Sequence, residues 1–308
     1  MQSLLFVHIP KTAGTSFRTS LEEVLGPKKI IKDYADHSPV TSESIIEMVY
    51  KEKDLAKFYR FFPKTEHVLS GHFWLNKYQR MFDAPQLTTF VRNPVDRVIS
   101  EFHHFKRHQN YQGSLYAFLD KRRNQNLMSR FLAGIPWQAF GFMGVSERYN
   151  ESLELFAAHS GITLPELHKN VAPKNYSNIS EEDLSLIKQT NLTDIKLYQQ
   201  IATDFEQRLD FTRSRKPYAN AAWWRKPGKA MIEGFAFWPH SDEPVTLDLL
   251  VSNKRIATLT ADSLSDVGYL ANAPRYGLVG FEYKLPVKEQ KQLLVKVSST
   301  GQRVTRGF

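Results

Sequence analysis

The stretch Leu4-Leu-Phe-Val-His-Ile-Pro-Lys-Thr-Ala-Gly-Thr-Ser-Phe17 decides how the first half of this chain folds. Leu4 to Ile9 is a short, nearly continuous apolar run, as expected of a strand buried on both faces. A polar loop with one glycine follows. Phe17, Leu21, Val24 and Leu25 then recur at helical spacing on one face. Strand, loop and helix in this order predict a parallel α/β sheet, in which ligands gather beyond the carboxyl ends of the strands.

The loop has the composition of an anion cradle. Backbone N–H groups and a helix dipole would face the anion, Gly14 lets the backbone approach, and Lys11, Thr12, Thr15 and Ser16 add an ammonium and three hydroxyls. A 5′-phosphate fits such a cradle. The loop is not a Walker A sequence, because its lysine precedes the glycine instead of following it, and this disfavours a nucleoside triphosphatase. Taken alone, an ordinary helix cap at Thr15 or Ser16 beside a surface lysine explains the same residues.

A second apolar run, Leu87 to Val91, leads into Arg92-Asn-Pro-Val-Asp-Arg-Val-Ile-Ser100. Asn93 suits an N-cap, Pro94 the first helical position and Asp96 the first turn, so a helix starts here with Val95, Val98, Ile99 and Phe102 on its core face. Ser100 shares a flank with the helix start. Arg92 and Ser100 are therefore placed to meet one anion, with a charged fork and a hydroxyl. The plainer alternative pairs Arg92 with a carboxylate and leaves Ser100 on the helix surface.

The 308 residues are 42% hydrophobic and 24% charged, enough for a real core and for two domains. Residues 1–212 read as an α/β domain, and 217–308 as a β-rich accessory domain after the basic junction Arg213-Ser-Arg-Lys-Pro217. In the second region Val245, Leu247, Leu249 and Val251 alternate with other residues before Ser252-Asn253 turns the chain, which predicts a hairpin. Further runs at Ala230–Trp238, Gly280–Leu285 and Gln292–Ser298 suggest a small β-sandwich.

The net charge of +9 favours polyanionic partners without choosing among nucleic acid, an anionic membrane, a nucleotide or an acidic polymer. Clusters such as Lys106-Arg107-His108 and Arg122-Arg123 read first as solvated helix faces. With no cysteine there is neither a disulfide framework nor a thiolate metal site, which suits a reducing compartment, and a cytoplasmic address is expected. No stretch approaches the roughly 18 to 20 apolar residues of a membrane-spanning helix. The first apolar run is too short for a signal-peptide core, so the N-terminus is expected to belong to the fold. The four Asn-x-Ser/Thr sequences, at Asn150, Asn175, Asn178 and Asn191, are expected to be accidental.

Together, Phe6-Val-His-Ile-Pro-Lys-Thr-Ala-Gly-Thr-Ser-Phe17 and Phe90-Val-Arg-Asn-Pro-Val-Asp-Arg-Val-Ile-Ser100 resemble the two motifs by which carbohydrate sulfotransferases bind 3′-phosphoadenosine 5′-phosphosulfate (PAPS). The branch of heparan and uronyl 2-O-sulfotransferases and their bacterial relatives is the most similar. The similarity continues through Ser70-Gly71-His72, Asn126–Gly134, Gly144–Arg148 and the helix Asp194–Leu209. The resemblance implies a P-loop-like parallel sheet, PAPS as donor, and 3′,5′-adenosine bisphosphate as product. It assigns the 5′-phosphosulfate to Lys11, Thr12, Gly14, Thr15 and Ser16, and the 3′-phosphate to Arg92 and Ser100. Asn170 and Lys174 belong to a loop that in the family closes over the nucleotide. The absence of cysteines and of a membrane anchor implies a bacterial, cytoplasmic version.

The chemistry so implied is in-line transfer to a sugar hydroxyl, with Lys11 neutralising the departing phosphate and a base taking the proton. His72 matches the family's histidine after glycine and is the expected base. The family has a further histidine two residues earlier, where this chain has Ser70. Glu101, His8 and His103 are lesser candidates. Arg130 faces the cofactor or an acidic acceptor on one reading and solvent on another. No metal is needed, no metal-ligand spacing appears, and the acceptor is expected to be a carbohydrate, with an acidic one left open, rather than nucleic acid. The C-terminal region resembles small β-domains appended to bacterial glycan-modifying enzymes. Its Trp223, Trp224 and Trp238 offer sugar-stacking faces, although packing or oligomerisation explains them better. The rival functions are a small-molecule or nucleotide kinase and a nonenzymatic nucleotide- or polyanion-binding protein.

Overall fold

The computed structural model describes residues 1–167, 179–286 and 293–307. Its first sheet has five strands: β1 (Leu4–Val7), β2 (Ile30–Asp33), β3 (Val68–Gly71), β4 (Leu87–Val91) and β5 (Phe142–Val145), in the spatial order β2-β3-β1-β4-β5. The β1–β3 and β2–β3 ladders are parallel. Every residue of β1, β3, β4 and β5 is buried, as the apolar runs predict for strands covered on both faces. Buried Thr88 and Thr89 are accommodated because their hydroxyls donate to the Leu5 and Val7 carbonyls at 3.0 and 2.8 Å.

The helices of this region are α1 (Gly14–Leu25), α2 (Glu43–Ile45), α3 (Leu55–Phe61), α4 (Pro94–His108), α5 (Leu115–Leu119), α6 (Leu127–Phe131), α7 (Tyr149–Ser160), α8 (Glu181–Thr190) and α9 (Leu192–Arg213). In α1, Phe17 and Leu21 face the core, but Val24 is exposed, so the apolar face is one turn shorter than the spacing predicts. The helix starts at Gly14 behind a left-handed Ala13, and neither Thr15 nor Ser16 is its cap. For α4 the expectation holds in detail: the Asn93 side chain accepts from the Val95 and Asp96 N–H groups, and Pro94 opens the helix. Val98, Ile99 and Phe102 pack with Leu115, Phe118, Leu119 and Ile187, while Val95 is only partly buried. No helix among the described residues is long and apolar enough to cross a membrane.

The second sheet has eight strands: β6 (Asn220–Arg225), β7 (Met231–Trp238), β8 (Ser241–Val251), β9 (Lys254–Ala261), β10 (Ser263–Leu264), β11 (Leu278–Lys284), β12 (Leu293–Val297) and β13 (Thr305–Arg306). The short helix α10 (Asp266–Leu270) lies between β10 and β11. One arm runs β10-β11-β7-β6-β13, and β8 joins it through a register shift at Phe237/Trp238 while carrying β9 and β12. The irregularity curls the sheet, so Val245, Leu247, Leu249, Val295 and Val297 share one core with Ala221, Trp223, Ile232, Ala236 and Phe281. The β8–β9 hairpin turns on left-handed Ser252 and Asn253, φ 49° and 62°.

The chain groups into two compact units. One comprises residues 1–77, 88–133 and 143–205, and the other 78–87, 134–142 and 206–308. Within the second unit, buried Asn220 donates to the Gln138 and Phe140 carbonyls at 2.9 and 2.6 Å, and Asn272 donates to the Arg80 and Phe82 carbonyls. These amides tie two short early segments to the β-rich sheet. Trp223 is buried and donates to the Val304 carbonyl, Trp224 donates to Glu233, and Trp238 packs against the core. Trp224 and Trp238 remain partly exposed.

Candidate active site

The parallel register sets Val7 beside Gly71 and Gly71 beside Asp33. The next residue along each strand is His8, His72 and Tyr34, so one row of side chains crosses the carboxyl ends of β1, β3 and β2. Backbone bonds carry the ladder into this row: His8 N–H donates to the Gly71 carbonyl and His72 N–H to the Asp33 carbonyl, each at 3.0 Å. A Cβ at Gly71 would lie 1.8 Å from the Asp33 carbonyl oxygen, which is why glycine stands there. Asp33 is held in turn by Lys77 at 2.7 Å and by the Tyr50 hydroxyl at 2.7 Å.

The three rings touch. Centroids are 4.5 Å apart for His8 and His72, 4.7 Å for Tyr34 and His72, and 5.7 Å for His8 and Tyr34. Nδ1 of His72 is 2.6 Å from the His8 carbonyl oxygen. A carbonyl only accepts, so Nδ1 carries the proton and Nε2 keeps its lone pair, the arrangement a general base needs. The close packing around the ring is the main influence holding the His72 imidazole below its usual range; the Arg18 and Lys11 cations act the same way, and the bond to the His8 carbonyl opposes them. His72 nevertheless keeps part of its surface exposed. Burial first, then the neighbouring His72, Arg18 and Lys11 charges, keep His8 neutral.

The phosphate-loop candidates follow β1. Lys11 and Ala13 have left-handed backbones, φ 67° and 66°, which curl the loop so that α1 begins at Gly14. The ring of buried His8 lies against Gly14, where a Cβ would stand 2.1 Å from its Cδ2. The Thr12 hydroxyl is buried and donates to the Ile9 carbonyl at 2.8 Å, so its hydrogen shapes the loop. Ser16 is buried, and Thr15 and Lys11 are half-buried. Desolvation is the largest influence on Lys11 and lowers its pKa, with Glu101 opposing and Arg92 and Arg107 adding to the effect.

The second motif meets the first. Arg92, one residue past β4, donates from NH1 to the Lys11 carbonyl at 3.2 Å across 81 residues of sequence. Among the described residues no carboxylate forms an ion pair with it. Ser100 is half-buried two turns into α4. Glu101, next to it, is pushed up by burial against the opposing pull of Arg97 and Lys11, and its carboxylate lies 3.6 Å from Arg97. Arg97 is completely buried. The His103 ring is tilted beside that of Phe102 at 5.9 Å, and its enclosed Nε2 has no hydrogen-bond partner among the described residues. Asn170 and Lys174 lie outside the described residues.

Several residues acquire roles the sequence did not assign. Arg130 stacks over Trp74 at 4.9 Å and donates to the Arg122 carbonyl at 2.7 Å. The buried Asp194 carboxylate accepts from the N–H groups of Met128 and Ser129 at the start of α6, and Asn126 in return accepts from Thr193 and Asp194. The motif-like segments around Asn126 and Asp194 therefore cap each other. Asn191, in one of the glycosylation-like sequences, is fully buried in the same exchange. Glu147 receives the Asn93 N–H at 2.7 Å and braces the turn after β4. Tyr34 carries no sequence signal because β2 has only two apolar residues, Ile30 and Ile31, ahead of Lys32 and Asp33; once that strand is placed, Tyr34 occupies the same position past its strand as His8 and His72. Among the described residues, no group of three or more His, Cys, Asp or Glu side chains is arranged to hold a metal ion.

Residues 1–220 match the model of the sulfotransferase family. Among solved structures, a sulfotransferase from Alicyclobacillus acidocaldarius is similar at 19% identity over 61% of this chain and 95% of its own, with a TM-score of 0.35. Mouse sulfotransferase SULT7A1, solved in complex with PAP, is similar at 16% identity over 63% of this chain and 66% of its own, with a TM-score of 0.34. No curated protein matches the sequence.

Proposed function

The chain belongs to the sulfotransferase family, and from that premise we propose that it moves a sulfuryl group from PAPS to a hydroxyl group of a carbohydrate. The observation that carries this reading is the bond from Arg92 to the Lys11 carbonyl, because it brings two separate anion-binding motifs to one site. The residues present suit the donor. The curled loop and the start of α1, with Lys11, Thr15 and Ser16, would hold the 5′-phosphosulfate, and Arg92 with Ser100 would hold the 3′-phosphate. Thr12 contributes by bracing the loop, and Gly14 by leaving room for it. We include Asn170 and Lys174 as residues of a closing loop.

In this reading the acceptor oxygen attacks sulfur and its proton passes to Nε2 of His72. The bond from sulfur to the 5′-phosphate oxygen breaks, leaving a sulfate ester and 3′,5′-adenosine bisphosphate. The Lys11 ammonium balances the charge that grows on the departing phosphate. We take 1–212 as the donor-binding domain, 217–308 as an accessory domain, and the enzyme as a bacterial, cytoplasmic one, consistent with its lack of cysteine.

Calorimetry tests the donor assignment. Each charge-assisted contact to the 3′-phosphate is worth about 1.5 to 3 kcal/mol, so 3′,5′-adenosine bisphosphate should bind at least tenfold more tightly than AMP, and Arg92→Ala should remove most of the preference. Equal affinities would overturn it. Incubation with PAPS and a panel of neutral and acidic oligosaccharides, read by mass spectrometry for sulfate esters, tests the acceptor class.

A further inference from the structure

The row formed by Tyr34, His72 and His8 contains more than a base. The Tyr34 hydroxyl is 2.7 Å from Nδ1 of His8, and this bond closes a triangle of three rings with His72 held between the other two. Burial raises the Tyr34 pKa, so its hydroxyl keeps its proton. We take this protonated phenol as the donor and Nδ1 of His8, 2.7 Å away, as the acceptor. Neutral His8 then carries its own proton on Nε2, at the ring edge that lies against Gly14 of the phosphate loop. His8 thus touches both halves of the site, the loop through its ring and the base through its carbonyl.

We propose that Tyr34 and His8 are positioning residues, a clamp that fixes the His72 ring as the Nδ1–H tautomer and sets its distance from the phosphate loop. The proposal rests on the reading of His72 as the base. The chemistry is that of an outer shell, where a hydrogen bond fixes the tautomer and angle of the group that reacts.

The test uses the full chain with 15N-labelled histidine. Two-bond nitrogen–proton spectra above pH 8, assigned with His8→Asn and His72→Gln, read the tautomers directly. Wild type should show His8 protonated on Nε2 and His72 on Nδ1. Tyr34→Phe should convert the single His72 signature into a tautomer mixture and lower kcat about tenfold, the scale of an outer-shell loss, with bisphosphate affinity within twofold. In a His72→Ala background the same substitution should change turnover little, because its effect passes through His72. His8→Asn, which keeps an acceptor where Nδ1 stood, should retain more activity than His8→Leu. The proposal is overturned if wild-type His8 is protonated on Nδ1, or if Tyr34→Phe leaves the His72 spectrum unchanged. Expected spectra combined with an active His72→Ala enzyme would instead remove the base assignment and leave the clamp in place as a structural feature.

Discussion

The two sheets of this protein handle side chains in opposite ways. In the first, β4 is buried at all five positions, whereas β8 in the second alternates buried Val245, Leu247 and Leu249 with partly exposed neighbours. A strand covered on both faces has no side chain left over for chemistry. The candidate site residues collect where the strands stop: His8, Tyr34, His72 and Arg92 each lie one residue past a strand end. The curled antiparallel sheet turns its apolar side chains into a shared core and presents the others along its length. Substitutions in the first unit near the strand ends should therefore affect turnover, and substitutions in the second should affect stability.

The sharpest challenge to that division is Gly71, which belongs to both sheet and site. Gly71→Ala would force a methyl group into the Asp33 carbonyl. We expect a loss of more than about 4 kcal/mol, read as failure to accumulate folded protein or a large drop in midpoint by urea unfolding. A folded, active variant would mean that the strand ends are looser than their register implies. In the second unit, Leu247→Ala should cost about 2 to 5 kcal/mol by the same measurement, as core truncations do. Its affinity for 3′,5′-adenosine bisphosphate should stay near wild type, and a parallel loss of binding would break the comparison.

His72→Ala is the converse case. Turnover should fall by roughly 100-fold or more with little change in thermal midpoint. The wild-type rate should rise with pH as the imidazole deprotonates, and the limb should lie below the ordinary histidine range because packing depresses the His72 pKa. His8 imposes a related limit on stability. Its folded pKa is lowered, so the unfolded chain binds the proton more readily, and stability is lost as pH falls below the ordinary imidazole range. The smallest effect belongs to the hairpin. Asn253 is left-handed, and Asn253→Ala should cost about 1 to 2 kcal/mol in unfolding experiments, with no change in kcat.

How far the sequence could be read depended on whether a signal was local. The apolar runs of β1 and β4, the cap at Asn93 and the β8–β9 turn each lie within a few residues, and the structure has them where they were expected. Val24 misled because periodicity counts apolar residues without knowing where the neighbouring element ends. For the tryptophans of the second unit packing was the better expectation, and Trp223 is buried with its indole N–H donated to the Val304 carbonyl. Asn126 and Asp194 stood out as motif residues, but their mutual capping spans 68 residues and no local pattern reveals it.

By itself the sequence determined the parallel strand–loop–helix units, the two motif segments and the family, because these are written in contiguous residues whose spacing matches backbone periods. Only the tertiary structure decided that Arg92 bonds the carbonyl of Lys11, that the His8 ring stands beside that of His72, and that Tyr34 completes the row. Those relations depend on strand order and register, which place residues 8, 34 and 72 side by side through hydrogen bonds between distant segments of chain.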